Sequence, residues 1–219
     1  MILPKIIDRV QRIVGGGIVT DENRWDQDYI ISVINTFSRQ VLRDFYVKNN
    51  KRINPVCYQR FYCEYDKNIQ EPGFIKFTLP PIVSFDEYSD GIRYIGSVTE
   101  SNGFRRIRSR ARLSSFNNHK VMNVNNGRAQ SALYNGNDQT IEVYGNVLLR
   151  DCLVEGIFIN PLDVPTYNMS VDNYPFNEDL IPVMEDLIYR SQLAIEASTP
   201  IDMLNNRSDI TNQPIQTRR

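Results

Sequence analysis

The chain has 219 residues, of which 41% are hydrophobic and 23% charged, and it carries a formal net charge of −1. These proportions are those of an ordinary folded domain, so they exclude a disordered or fibrous protein and predict one compact body. The sequence contains no apolar run long enough for a membrane span and no signal-peptide pattern at its start, so we expect synthesis and retention in a cytosol.

Two amphipathic helices are predicted at the start of the chain. Apolar residues recur at steps of three and four between Ile2 and Val14, and a run of three glycines ends the pattern. A second, longer stretch with the same period runs to about Lys48, before a polar break and an Asn-Pro step. Residues 1–54 are therefore predicted to form a helical hairpin.

A series of short strands is predicted to follow. From about Gln59 the hydrophobic period changes to two, in segments rich in β-branched and aromatic residues. Turns with Asn-Gly or Asp-Gly steps separate these segments as far as Ile159. Many short strands at this spacing favour an antiparallel sandwich or barrel, and we assign residues 55–160 to this β-domain.

The last part of the chain returns to helical periodicity. Residues 161–200 read as a proline-rich connection and a helix that begins near Asn177, with acidic residues in its first turn. Residues 201–219 are polar and are predicted to be a flexible tail or a docking arm. The predicted fold class is α+β: an N-terminal helical hairpin and a C-terminal helix packed with an antiparallel β-sandwich or barrel-like domain.

Positive and negative charges are sorted along the chain. Eight Lys or Arg and one acid lie between Arg93 and Arg128, whereas nine acids and two arginines lie between Asp163 and Asp209. A chain with two charged poles can contact copies of itself or hold a polyanion on one side.

The segment from Phe104 to Leu113 carries most of the positive charge. Read as a strand, it places its apolar or small residues on one face and four arginines on the other, because side chains alternate. These arginines, and Arg105 before them, are the candidates for a contact with DNA or with an acidic neighbouring subunit: Arg105, Arg106, Arg108, Arg110 and Arg112. The alternative is a solvated edge strand whose charge prevents aggregation.

Residues typical of enzyme and metal sites are missing from the sequence. The single histidine, His119, lies in a polar stretch and is expected at the surface, and hydrolase and metalloprotease motifs are absent. Cys57, Cys63 and Cys152 form no Cys-x-x-Cys pair, so we expect three buried thiols and neither a disulfide framework nor a zinc site. The sequence thus predicts a protein that is not an enzyme and that has no catalytic residues, cofactor or metal.

Both ends of the chain carry a family resemblance. The segments concerned are Lys5–Gly17, Tyr46–Pro55, Tyr174-Pro175-Phe176, the helix to Glu196, and Thr199-Pro200-Ile201-Asp202. They resemble the virion ring or connector proteins of crAss-like and related Bacteroidetes phages. The resemblance implies a helical hairpin plus a β-domain, twelve copies around the tail axis below the portal, and no catalysis.

The function that combines these observations is a structural virion protein in the head–tail connector. It would contact the portal and neighbouring ring proteins, and would line or surround a channel for packaged DNA, with no membrane partner. Residues of the terminal helices and tail are expected to carry oligomer or docking contacts: Trp25, Tyr29, Leu187, Ile188, Ile201 and Asp202. The alternatives are a non-specific nucleic-acid-binding accessory protein that uses the arginine segment, and a small enzyme with an unrecognised site.

Overall fold

The computed structural model describes residues 1–14, 26–64, 70–71, 74–86, 89–96, 105–107, 131–144 and 151–198. Its helices are α1 (Leu3–Val14), α2 (Gln27–Lys48) and α3 (Ile181–Ser198). Its strands are β1 (Gln59–Glu64), β2 (Gln70–Glu71), β3 (Phe74–Thr78), β4 (Ser84–Asp86), β5 (Ser89–Asp90), β6 (Ile92–Gly96), β7 (Arg105–Ile107), β8 (Ser131–Asn135), β9 (Thr140–Tyr144) and β10 (Asp151–Gly156).

Helix α1 follows from its hydrophobic period. Its buried stripe includes Leu3, Ile6 and Val10, each at most 1% exposed, while Lys5 and Asp8 on the opposite face are exposed. A helix this short is marginal on its own, so it is stabilised by packing its apolar face against a partner. The glycines that were expected to end α1 lie outside the described residues.

Helix α2 ends where the sequence predicts. The amide of Asn49 donates to the carbonyl of Phe45 at 2.8 Å, and Asn50 and Lys51 then take positive φ angles of 49° and 62°. This left-handed conformation cannot continue an α-helix, so the chain turns away. Asn54 Oδ1 then accepts the amide of Val56 at 3.1 Å, which starts a 3-10 turn.

The start of α3 is a short 3-10 turn, Glu178–Leu180, that continues directly into the α-helix at Ile181. Asn177 caps the turn, since its Oδ1 accepts the amide of Asp179 at 3.3 Å. The sequence pattern therefore locates the beginning of this helical region correctly, and the first turn differs only in being tighter.

The strands form two main sheets and a two-stranded hairpin. The orders are β1-β10-β6 for the three-stranded sheet and β2-β3-β9-β8-β7 for the five-stranded sheet, while β4 pairs with β5. The pairs are antiparallel with one exception, since β7 lies parallel to β8, with Arg106 opposite Ala132. Predicted strand residues 108–113 and 121–124 lie outside the described part of the chain.

Buried side chains fall into two cores. One lies between the helices and includes Val83 and Ile157 from the β-region, which attach the sheets to the helical layer. The other fills the space between the two larger sheets, with Ile75, Phe77 and Val154 among its members. Inner faces of two sheets that share one core are the mark of a sandwich, so the predicted α+β class is confirmed.

Gly91 holds the β4–β5 hairpin close to the end of β10. Its amide donates to the carbonyl of Val83 at 2.6 Å, and its own carbonyl accepts the amide of Ile157 at 2.9 Å. A Cβ at this position would lie 2.9 Å from the Val83 oxygen, closer than packed atoms allow. Only glycine therefore lets these three backbone segments meet, and their meeting joins the two cores.

Candidate assembly surface

An ion pair and backbone contacts tie the first helix to the last. Arg9 Nη2 donates to Glu185 Oε2 at 2.6 Å, joining α1 to α3. The Glu185 side chain is 11% exposed and that of Arg9 is 46% exposed, so the carboxylate is the desolvated partner. The amide of Tyr174 also donates to the Met1 carbonyl at 2.9 Å, and the Met1 amine pairs with Glu178. These contacts order the surface that the two helices share.

A second set of contacts links α2 to the β4–β5 hairpin. Arg43 Nε donates to the carbonyl of Ser84 at 2.9 Å, and the hydroxyls of Tyr46 and Ser89 lie 2.6 Å apart. The ring of Tyr46 stacks on Phe85 with the centroids 4.6 Å apart. Polar and aromatic contacts at one place fix the angle between the helix and the hairpin.

A buried polar cluster forms a third link, between α2 and the loop after β10. Tyr174 Oη donates to Asn35 Oδ1 at 3.0 Å, and Asn35 Nδ2 donates to Asn160 Oδ1 at 3.1 Å. Asn160 Nδ2 donates in turn to Asp163 Oδ1 at 2.9 Å, while Ser38 Oγ lies 3.2 Å from the Tyr174 hydroxyl. Burial raises the pKa of Tyr174 well above its ordinary range, so the hydroxyl remains a donor.

A small pocket adjoins this cluster and has no room for an organic substrate. Ser38, Gln59 and Tyr174 are among its lining residues, and the space fits about one water molecule. Gln59 Oε1 is buried there and has no hydrogen-bond partner within the described part of the chain. A single bound water would satisfy that oxygen, so the pocket reads as part of the packing between helices and sheets.

Other chemical sites are also lacking among the described residues. Within the described ranges, no group of three or more His, Cys, Asp or Glu could hold a metal ion. The helices that the structure describes include none that is long and apolar enough to cross a bilayer. His119 lies outside the described residues. All three cysteines are buried with free thiols, as expected, and Cys63 and Cys152 lie opposite each other, which no pattern in the sequence indicates.

The expected docking residues occupy different environments. Tyr29, in the first turn of α2, is 44% exposed. Leu187 is half-buried against the helical core, and Ile188 is 2% exposed within it. Both side chains therefore pack below the surface and can support a docking face only by holding exposed residues in position. Trp25, Ile201 and Asp202 lie outside the described residues.

The outer face of α3 carries exposed apolar groups that the hydrophobic pattern does not single out. Val183 and Tyr189 are 48% and 49% exposed. Asp186 and Arg190 lie between and beside them and form an ion pair at 2.9 Å, one helical turn apart. An aromatic ring beside a charged pair on a rigid helix is a suitable surface for a protein contact.

The arginine segment, residues 104–113, includes β7, which lies at the edge of the five-stranded sheet. The backbone of Arg105 and Arg106 pairs with Ser131 and Ala132 of β8. Arg108, Arg110 and Arg112 lie outside the described residues. The basic region begins earlier, at Arg93 on β6, whose guanidinium lies 5.5 Å from the centre of the Tyr58 ring.

A run of exposed acids lies near the end of the chain, before and within α3. The exposed acids of this run are Asp163, Asp172, Glu178, Asp179 and Asp186. This run corresponds to the acidic part of the sequence, although Asp8, Asp44 and Asp138 are also exposed elsewhere in the described residues.

Comparison with known proteins identifies the family. No curated protein matches the sequence. A family model described as phage tail ring protein 2 matches residues 5–213, nearly the whole chain, and agrees with the resemblance seen at both ends. This chain therefore belongs to the phage tail ring protein 2 family, a structural component of the phage tail.

Proposed function

We propose that copies of this chain close into a ring in the head–tail connector, below the portal, and surround the channel through which DNA passes. The observation that carries the proposal is the family match over residues 5–213, whose description names a ring component of the tail. Twelve copies is the number that the family resemblance implies. In this role the chain binds other virion proteins and has no catalytic activity.

The subunit has the properties that a ring requires. In a closed ring each subunit presents one surface to one neighbour and a different surface to the other. Three separate links join the helices to each other and to the sheets, through Glu185, Tyr46 and Tyr174. A contact on the outer face of α3 would therefore be transmitted to the sheets through α1 and the helical core, which includes Val83 and Ile157.

The positive charge of the arginine segment would be neutralised either by DNA or by a neighbouring subunit. Facing the channel, the segment would hold DNA phosphates through charge, without reading bases. Facing a neighbour, it would meet the exposed acids of residues 163–186. Charge complementarity of this kind sets the register between subunits more than it adds affinity.

The ring itself is tested by measuring mass and position. Light scattering of the purified protein, with and without portal protein, should reveal a ring-sized complex in at least the second sample. Cryo-electron microscopy of particles should then place this chain as a closed ring next to the portal. A location elsewhere in the tail would contradict the connector position while leaving the ring intact.

The role of the arginines is tested by changing Arg106, Arg108, Arg110 and Arg112 together to Gln. If they face DNA, the variant should enter particles normally but bind DNA less tightly, with a salt dependence lower by about one unit per lost phosphate contact. If they face a neighbour, incorporation itself should fail. A matched control removes the same charge from exposed helix and loop positions: Lys5, Arg12, Lys48 and Arg52.

The alternative is a nucleic-acid-binding accessory protein that acts without forming a ring. The same arginine segment supports it, because a basic strand can track a phosphate backbone. A monomer that binds DNA with strong salt dependence and is missing from particles would favour this alternative.

A further inference from the structure

Two of the three cysteines lie opposite each other on neighbouring strands of the three-stranded sheet. In the antiparallel pair of β1 and β10, Cys63 lies directly opposite Cys152. Their exposed fractions are 2% and 0%, so both belong to the sandwich core. Cys57 is also buried, but it lies in the 3-10 turn before β1 and belongs to the helical core.

The register satisfies the distance requirement of a disulfide. Residues directly opposite in an antiparallel pair have Cα atoms about 4.5 or 5.5 Å apart, depending on their place in the hydrogen-bond ladder. A disulfide needs a Cα separation of about 4.4–6.8 Å. Cys63 and Cys152 could therefore be joined without moving either strand.

We propose that Cys63 and Cys152 form a modification site, in which a peroxide converts the two thiols into one intrachain disulfide that locks β1 to β10. This inference is independent of the ring proposal, because it concerns chemistry inside a single subunit. Nothing in the amino-acid pattern indicates it, since 88 residues separate the two cysteines along the chain.

The reaction balances with hydrogen peroxide as the oxidant. One thiol, as its thiolate, attacks a peroxide oxygen, which breaks the O–O bond, forms a sulfenic acid and releases one water after protonation. The second sulfur then attacks the sulfenic sulfur, an S–S bond forms, and the hydroxyl leaves as a second water. Two thiols lose two electrons and two protons, and peroxide gains them.

The link would constrain much of the β-domain. It would close a loop from β1 to β10 that contains β2, β3, β8 and β9, so both larger sheets would be held through one covalent bond. Closing a loop of this length reduces the freedom of the unfolded chain and stabilises the fold. The expected gain is greatest for unfolding that begins with separation of β1 from β10.

The site should react slowly while the sheet is closed. The hydrogen bond to Cys152 and burial raise the pKa of Cys63 far above the ordinary range of a thiol, so its reactive thiolate is scarce. Peroxide also has to reach sulfurs inside the core. The thiols would thus stay reduced during folding in a reducing cytosol and become linked on prolonged exposure to an oxidant.

The experiment treats the full-length folded protein with hydrogen peroxide, removes the oxidant, blocks free thiols in denaturant, and maps tryptic peptides without reduction. Each cysteine falls in its own peptide, residues 53–60, 61–67 and 151–190. The expected product joins 61–67 to 151–190, with a mass lower by two hydrogens, and leaves Cys57 blocked. The melting temperature should rise, and a phosphine reductant should reverse the rise.

Single substitutions supply the controls. Cys57→Ala should leave the link and the rise in melting temperature intact, whereas Cys152→Ala should abolish both. Recovery of Cys63 and Cys152 as separately blocked or over-oxidised peptides would overturn the proposal. Links that include Cys57 would overturn it too, because they would show that oxidation follows unfolding instead of the native register. The wild-type peptide map decides the matter even if a variant fails to fold.

Discussion

Replacing Tyr174 with Phe removes one hydroxyl from the buried polar cluster and leaves the ring in place. The hydroxyl donates to Asn35 Oδ1 at 3.0 Å, and Tyr174 is 4% exposed, so water cannot substitute without a rearrangement. A buried acceptor that loses its donor costs about 1–3 kcal/mol. For a chain of this size each kcal/mol lowers the melting temperature by about 2–4 °C. We therefore expect a loss of several degrees.

Tyr167→Phe is the matched control for this change. The Tyr167 hydroxyl is also buried, but it has no hydrogen-bond partner among the described residues, so its removal should cost nothing or stabilise slightly. Both variants are compared by thermal and urea unfolding at neutral pH. If Tyr174→Phe melted within about one degree of wild type, or no lower than Tyr167→Phe, the cluster would not contribute as the hydrogen bonds indicate.

Three further tests, with five substitutions, concern the helical layer. Leu187→Asp should lower the free energy of unfolding by about 1–3 kcal/mol, because it puts a charge against the helical core, whereas Tyr189→Asp on the exposed face should change it by less than about 0.5 kcal/mol. Arg9→Met should destabilise more than Glu185→Gln in urea unfolding, since it leaves the desolvated carboxylate unpaired, while a freed arginine can turn to solvent. Burial raises the pKa of Cys57 from 9.0 to about 11. The neutral thiol therefore favours the folded state fully below pH 9, and this stabilisation is lost as the pH rises from 9 to about 11. The urea midpoint of Cys57→Ala should accordingly decline less steeply over this alkaline range than that of the wild type.

Local patterns were sufficient to predict the main elements. The three-and-four spacing of apolar residues located α1 and α2, and period-two alternation located segments such as β3 and β9. These signals work because each element buries one face, and the period of that face is a property of the element alone.

The buried polar cluster could not be recognised in the same way. Asn35 and Ser38 lie on the buried face of α2, at 7% and 5% exposed, where a hydrophobic pattern treats them as interruptions. Their partners, Tyr174 and Asn160, come from more than a hundred residues away. The available signal was two small polar residues inside an otherwise apolar stripe, which predicts a buried partner without naming it.

Strand pairing was hidden for a related reason. The parallel alignment of β7 with β8, and the alignment that sets Cys63 against Cys152, depend on which strands become neighbours after the chain has folded. Period-two alternation assigns a face to each side chain but carries no information about the neighbouring strand. The arginine segment illustrates the same limit, since its charge is obvious in the sequence and its partner is not.

The different locations of the exposed face of α3 and of the arginine segment in the chain bear on how a ring subunit could work. The subunits of a ring must bind one another tightly, whereas DNA must slide through the channel. Strong phosphate contacts on a surface that also joins subunits would make subunit binding and DNA passage depend on each other. In this chain the exposed Val183 and Tyr189 lie on α3, whereas the first two candidate arginines lie in β7, at the edge of the five-stranded sheet. Because Glu185 ties α3 to α1 and Tyr46 ties α2 to the β4–β5 hairpin, neighbour contacts made by the helices would be transmitted to the sheets without engaging the arginines. On this reasoning, a change such as Tyr189→Asp should weaken assembly without altering the affinity of assembled rings for DNA, which is the opposite of the result expected for channel-facing arginines.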